Sequence, residues 1–138
     1  MGTRAVHLVM VDDDDIDVRS MRRSLERAGS TLALSVARDG CEALDHLRRD
    51  GVARDAVVIL DMHMPRMGGI EFLAAVRADA ALASLPVFVL TTSDAPEDLE
   101  RAYAHHVVGY VLKQAAGEDF GDMVDLLDRY CALVERPD

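Results

Sequence analysis

No apolar run in the sequence approaches the roughly 18–20 residues of a membrane-spanning helix. The opening Met1-Gly2-Thr3-Arg4-Ala5 passes into a short strand-like run without the h-region of a signal peptide, so a cytoplasmic location is expected. Cysteine is scarce. Cys41 and Cys131 stand far apart in helical-looking segments without CxxC spacing, which gives zinc no support and predicts two buried or half-buried free thiols. Positive charge is also short: Lys+Arg 15 against Asp+Glu 25 leaves a formal charge of −10. Such a surface repels phosphate backbones and disfavours nucleic acid as a partner, while it tolerates divalent cations and basic partner surfaces. No repeat, low-complexity tract or linker divides the 138 residues, so one domain over 1–138 is expected, with no room for an output domain.

Half of the residues are apolar, and they alternate between short strand-like runs and helical spacing, the pattern of a parallel α/β sheet. Ala5 to Val11 is a first buried strand that stops at Asp12-Asp13-Asp14-Asp15. Helical spacing follows through Val18, Met21, Leu25 and Ala28, with Gly29 as the stop. Leu32–Val36 reads as the second strand. Asp39 to about Asp50 reads as the second helix, with Ala43, Leu44 and Leu47 inward and Gly51 as its stop. Ala56–Leu60 is the most apolar strand, the expected sheet centre, and ends in Asp61; a Pro/Gly-rich loop leads to a third helix around Ile70–Ala78, packed through Phe72, Leu73 and Val76. Pro86–Leu90 forms the fourth strand, followed by Thr91-Thr92-Ser93. Asp94 and Glu97 have capping-box spacing for a fourth helix, with Pro96 in its first turn. Val107–Leu112 is the fifth strand and ends in Lys113; a last helix runs from about Glu118 to Val134.

That order is (βα)5. Open α/β sheets bind ligands beyond the carboxyl ends of their strands, where the strand order reverses. The residues just past strands one, three, four and five are Asp12/Asp13, Asp61, Thr91 and Lys113, so the polar chemistry converges on one edge. Crowded carboxylates gain by sharing a hard cation, and Mg²⁺ takes one or two carboxylates, waters and a phosphate. A carboxylate beside that metal can attack phosphorus, with an ammonium and a hydroxyl to meet the transferring oxygens. Taken singly, each residue has a plainer reading: Asp12–Asp15 as helix caps, Asp61 as a turn residue, Lys113 as a surface lysine, Thr91 as a strand end. Their shared strand position is what favours the phosphoryl reading.

Four stretches carry a family likeness: Val11-Asp12-Asp13, Leu60-Asp61-Met62-His63-Met64-Pro65-Arg66-Met67-Gly68-Gly69, Leu90-Thr91-Thr92 and Tyr110-Val111-Leu112-Lys113. Over about residues 5–135 the chain resembles the receiver domains of two-component response regulators. Val11–Val18 with Asp17, Leu90-Thr91-Thr92-Ser93 and Arg101-Ala102-Tyr103 resemble the small stand-alone regulators that partner bacterial phytochrome histidine kinases. The resemblance implies a doubly wound, flavodoxin-like α/β fold with a parallel five-stranded sheet of order 2-1-3-4-5. It implies Asp61 as phospho-acceptor; Asp12, Asp13, Asp61 and the His63 backbone carbonyl around Mg²⁺, Asp12 through water; Lys113 and Thr91 on the phosphoryl oxygens; and Tyr110 as the switch aromatic. The implied partner is a sensor histidine kinase or histidine phosphotransfer protein, a bacteriophytochrome among them. A homodimer through helix 4–strand 5–helix 5 is a further expectation, as is self-phosphorylation and autodephosphorylation in place of a separate enzymatic activity.

Three departures from the family pattern stand out. Gln114 follows Lys113 where the family has Pro, so a trans peptide and an altered loop are expected, with the reach of Lys113 in question. Gly68-Gly69 replaces Asp-Gly. His63 occupies the position two past the acceptor, where an aspartyl-phosphate phosphatase would place a general-acid Asp, which argues against that enzyme class. A degenerate scaffold is the third alternative, opposed by the full complement of phosphorylation residues. His105-His106 point apart on a helix and so read as solvent or interface residues, while Met62, Met64 and Met67 read as loop packing.

Overall fold

The computed structural model describes residues 6–49 and 51–137. Its elements alternate as expected: β1 (His7–Val11), α1 (Asp15–Arg27), β2 (Ala33–Ala37), α2 (Gly40–Leu47), β3 (Ala56–Leu60), α3 (Gly69–Ala78), β4 (Val87–Thr91), α4 (Pro96–Ala104), β5 (Gly109–Leu112) and α5 (Gly121–Leu133). The five strands pair in parallel in the order β2-β1-β3-β4-β5. Ala5 and Asp50, expected at the ends of β1 and α2, lie outside the described residues.

The period of two in each strand divides the core between the sheet's two faces. Val9, Val11, Val58, Leu60, Val87 and Val89 face one way and meet Ala43, Leu44 and Leu47 of α2, Phe72, Leu73 and Val76 of α3 and Ala102 of α4. Leu8, Met10, Val57, Ile59, Phe88 and Leu90 face the other way, against Met21 and Leu25 of α1 and Met123, Val124 and Leu127 of α5. All five residues of β3 and of β4 are buried, which is why they read as continuous apolar runs. Cys41 and Cys131 are free and half-buried, as expected.

Several element boundaries moved, by one residue in β2 and β4 and further elsewhere. Helix α4 is capped at Ala95, not Asp94, and no side chain caps it. Ala95 precedes Pro96, whose ring holds it extended (φ −64°, ψ 127°) and makes Pro96 the first helical residue. Strand β5 begins at Gly109 rather than Val107, because His105 closes α4 and His106 turns the chain at φ 60°. A 3-10 turn over Glu118–Phe120, with Asp119 and Phe120 in the left-handed region, precedes α5. Gly29, at φ 62° directly after the Ala28 cap of α1, is the expected stop. Helix α2 closes early, at Leu47 with Arg48 as its cap, so Gly51, at φ 79°, turns the chain beyond the helix instead of ending it.

His105 and His106 also have a backbone role that the sequence did not signal. The guanidinium of Arg77, at the end of α3, donates to the carbonyls of His105 (2.7 Å) and His106 (3.1 Å) and to those of Ala83 (2.9 Å) and Leu85 (2.7 Å). One cation thereby ties the α3–β4 connection to the α4–β5 turn. Replacing Arg77 by Met keeps much of the volume and strands these acceptors, a loss on the order of 3 kcal/mol by the usual worth of charged hydrogen bonds. Urea unfolding should show that drop as a lower midpoint with an unchanged slope; an unchanged midpoint would mean that water satisfies the carbonyls equally well.

Candidate functional site

Four of the five strands deliver one polar residue each to the carboxyl edge of the sheet. Asp12 follows β1 and Asp61 follows β3; their backbone N–H groups extend the ladder to Ala37 O (2.9 Å) and Val11 O (3.0 Å). Thr91 ends β4 and is fully buried. Lys113 follows β5, and its side chain is only 11% exposed. Asp13, at the rim, is exposed. The edge therefore brings together every side chain that the strand positions had singled out.

Contacts within this group are short. Thr91 Oγ1 donates to Asp61 Oδ1 at 2.8 Å. Lys113 Nζ lies 3.0 Å from Asp12 Oδ2 and 3.7 Å from Asp61 Oδ2, so the lysine reaches the pocket although Gln114 replaces the family's proline. The described residues contain no cis peptide, in line with the expected trans geometry, and a 3-10 turn over Lys113–Ala115 carries the chain away. The run Asp12–Asp15 divides its labour. Asp14 caps α1, accepting from the Ile16 and Asp17 N–H groups, while Asp12 accepts from the Asp14 N–H at 2.9 Å.

Carboxylate oxygens of Asp12, Asp13 and Asp61 all fall within 4.8 Å of one another. Burial pushes the Asp12 carboxyl up to about 6, and the neighbouring Asp61 charge adds to this against the opposing pull of the Asp14 N–H and Lys113. Burial also acts on Lys113, but its hydrogen bonds to Asp17 and Asp12 outweigh that and hold its pKa above the ordinary lysine value. Three hard oxygen donors, one of them electrostatically uncomfortable and one open to water, suit a hard divalent cation.

The surrounding loops are pinned. A Cβ on Gly69 would lie 2.8 Å from Met62 Cα and 2.9 Å from Asp61 O, so only glycine lets α3 start this close to the Asp61 backbone. Gly68, the N-cap, supplies no side-chain cap, the one consequence of Gly68-Gly69 at this turn. Met62 is buried, and Met64 and Met67 pack partly buried against the α2–α4 core, as loop-packing residues should. Arg66, left-handed at φ 61°, pairs with Asp39, the N-cap of α2. Exposed His63 sits 3.2 Å from Asp98 Oδ2, which also accepts from Ser93 Oγ at 2.5 Å. The Tyr110 hydroxyl donates to Ser93 O at 2.8 Å, joining β5 to the same loop.

One residue of the pocket stood outside the strand-end logic. Asp17, in the first turn of α1, places Oδ2 2.6 Å from Lys113 Nζ. The only signal for it was its place in the phytochrome-regulator likeness, because its position on a helix gives no strand-end cue.

Fold and pocket together define a signalling domain of the receiver class: a doubly wound sheet with an acidic cation pocket, a hydroxyl and an ammonium at its carboxyl edge. The chain belongs to the response regulator receiver domain family, whose profile matches residues 8–125, and it works in two-component signalling. It is 36% identical over 126 residues to the probable methanogenesis regulatory protein FilR2 of Methanothrix harundinacea, covering 89% of this chain and 81% of that one. The Mn²⁺-bound form of response regulator Rcp1, known from Synechocystis, superposes with a TM-score of 0.81 at 28% identity, covering 96% and 99% of the two chains. The phosphorylated cyanobacterial phytochrome response regulator RcpA gives 0.82 at 27% identity, over 96% and 98%.

With its pKa raised, Asp12 would make the binding of a cation in this cluster pH-dependent. In the metal-free fold, ionising Asp12 is disfavoured between its ordinary value and about 6, so below pH 6 a cation must displace a proton. Mn²⁺ affinity, followed by calorimetry or electron paramagnetic resonance, should fall by about tenfold per pH unit below that point. Flat affinity between pH 5 and 6 would show that Asp12 does not take part.

Proposed function

We propose that Asp61 accepts a phosphoryl group from a sensor histidine kinase or a histidine phosphotransfer protein, and that the acyl phosphate alters protein–protein contacts. The observation that carries this reading is the placement of the Asp61 carboxylate between the Thr91 hydroxyl, the Lys113 ammonium and two further carboxylates. An Asp61 oxygen forms the new bond to phosphorus as the phosphorus–nitrogen bond of the donor phosphohistidine breaks and its imidazole departs.

Asp12, Asp13 and Asp61, with the backbone carbonyl of His63, would hold Mg²⁺, whose chemistry is to neutralise charge on the phosphoryl oxygens. Lys113 contributes the ammonium for a second oxygen. Thr91 turns its hydroxyl from Asp61 to the phosphoryl group, and Tyr110, tied to Ser93 O, relays the state of that loop to β5 and α4. Exposed Leu99, Tyr103 and Val108 make the α4–β5–α5 face the proposed homodimer surface. The likeness to a phytochrome response regulator favours a kinase of the phytochrome class. Acidity argues against nucleic acid as a partner; among the described residues no helix is long and apolar enough to cross a membrane, and the domain is proposed to act in the cytoplasm.

Incubation with Mg²⁺ and acetyl phosphate should add one phosphoryl group by intact mass, with no adduct in Asp61→Asn or without metal. An adduct that persists in Asp61→Asn would assign the acceptor elsewhere. Light scattering at high concentration, with and without beryllofluoride, tests the dimer: a monomer under both conditions removes it.

A further inference from the structure

Lys113 is the only lysine in the chain, so the pocket has one ammonium and no substitute for it. That ammonium is not centred on Asp61. Its nearest partner is Asp17 Oδ2 at 2.6 Å, then Asp12 Oδ2 at 3.0 Å, with Asp61 Oδ2 beyond hydrogen-bond distance at 3.7 Å. Asp17 is well placed to hold it. Its N–H is fixed by the Asp14 cap (3.4 Å), its side chain is only 20% exposed, and no other cation pairs with it among the described residues.

A primary ammonium has three protons, and here the strongest contacts draw it toward α1. Two of those protons already go to Asp17 and Asp12, so a phosphoryl oxygen on Asp61 has to share the ammonium with the Asp17 carboxylate. We infer that Asp17 is a positioning residue that latches Lys113 in the resting state and competes with the phosphoryl group for the pocket's sole ammonium. This rests on the reading of Asp61 as acceptor and adds a residue that sets how strongly the phosphorylated state is favoured. Partly buried hydrogen bonds between full charges are strong enough for their exchange to shift such an equilibrium. The Asp17–Lys113 pair accordingly opposes the switch, and loss of the Asp17 charge favours it.

The single lysine makes the test direct, because lysine labelled at Cε and Nζ gives one side-chain signal. Asp17→Asn is nearly isosteric and keeps the helical position. Asp15→Asn is the control: it removes the same charge from the same turn, but Asp15 pairs with Arg38 on the surface and not with Lys113. In the ligand-free protein, Asp17→Asn should move the lysine signal, while Asp15→Asn leaves it unchanged. With Mg²⁺ present, beryllofluoride should bind Asp17→Asn more tightly than wild type by about tenfold, and Asp15→Asn within about twofold of wild type.

A lysine signal that ignores Asp17→Asn, equal beryllofluoride affinity in Asp17→Asn and wild type, or the same gain from Asp15→Asn would each overturn the latch and leave the receiver reading intact. A wild-type protein that takes up no beryllofluoride would overturn both.

Discussion

Charge held at the end of a packed sheet is the constraint on which the rest of this molecule depends. β1 and β3 are buried on both faces, and the residues that leave them, Asp12 and Asp61, remain nearly buried as the chain turns. Carboxylates in such a place are poorly solvated and repel one another, as the raised pKa of Asp12 records. One ammonium among Asp12, Asp17 and Asp61 offsets only part of that charge, and a divalent cation offsets more. The pocket is therefore unbalanced by construction, an excess of negative charge that a bound cation would reduce.

Such a site persists because its support is rigid. The order β2-β1-β3-β4-β5 sets β1 beside β3 and β3 beside β4, so the residues past their ends are neighbours without any loop having to reach. The two core layers fix the strands against α2–α4 on one side and α1 and α5 on the other. Polar ties hold the turns: Arg77 on four carbonyls, Arg66 on Asp39, and the Ser93–Asp98–His63 group. Thr91 at the end of β4 and Lys113 just past β5 bring the hydroxyl and the ammonium to this edge, beside Asp12 and Asp61 from the ends of β1 and β3.

Alternation and strand ends were legible because they follow from local physics. The short β-branched run Val57-Val58-Ile59-Leu60 reads as a buried strand, and an Asp directly after such a strand falls at the sheet edge. Helix starts were less legible. Asp94 has the right chemistry for a cap and the right spacing to Glu97, yet the ring of Pro96 selects Ala95. Asp119 and Phe120 in the left-handed region could not be foreseen either, since nothing in their side chains demands it.

The amino-acid order by itself determined the class of fold and the acidic, lysine-bearing edge, because strand burial and the residue that follows each strand are properties of short segments. The tertiary structure decided which of those groups touch. That Lys113 leans on Asp17 and Asp12 before Asp61, that Thr91 already bonds to Asp61, and that Arg77 secures the turn at His105 and His106 depend on distances across separate elements. Side-chain partners far apart in sequence are chosen by the packing of the sheet and its helices, and no local pattern encodes that choice.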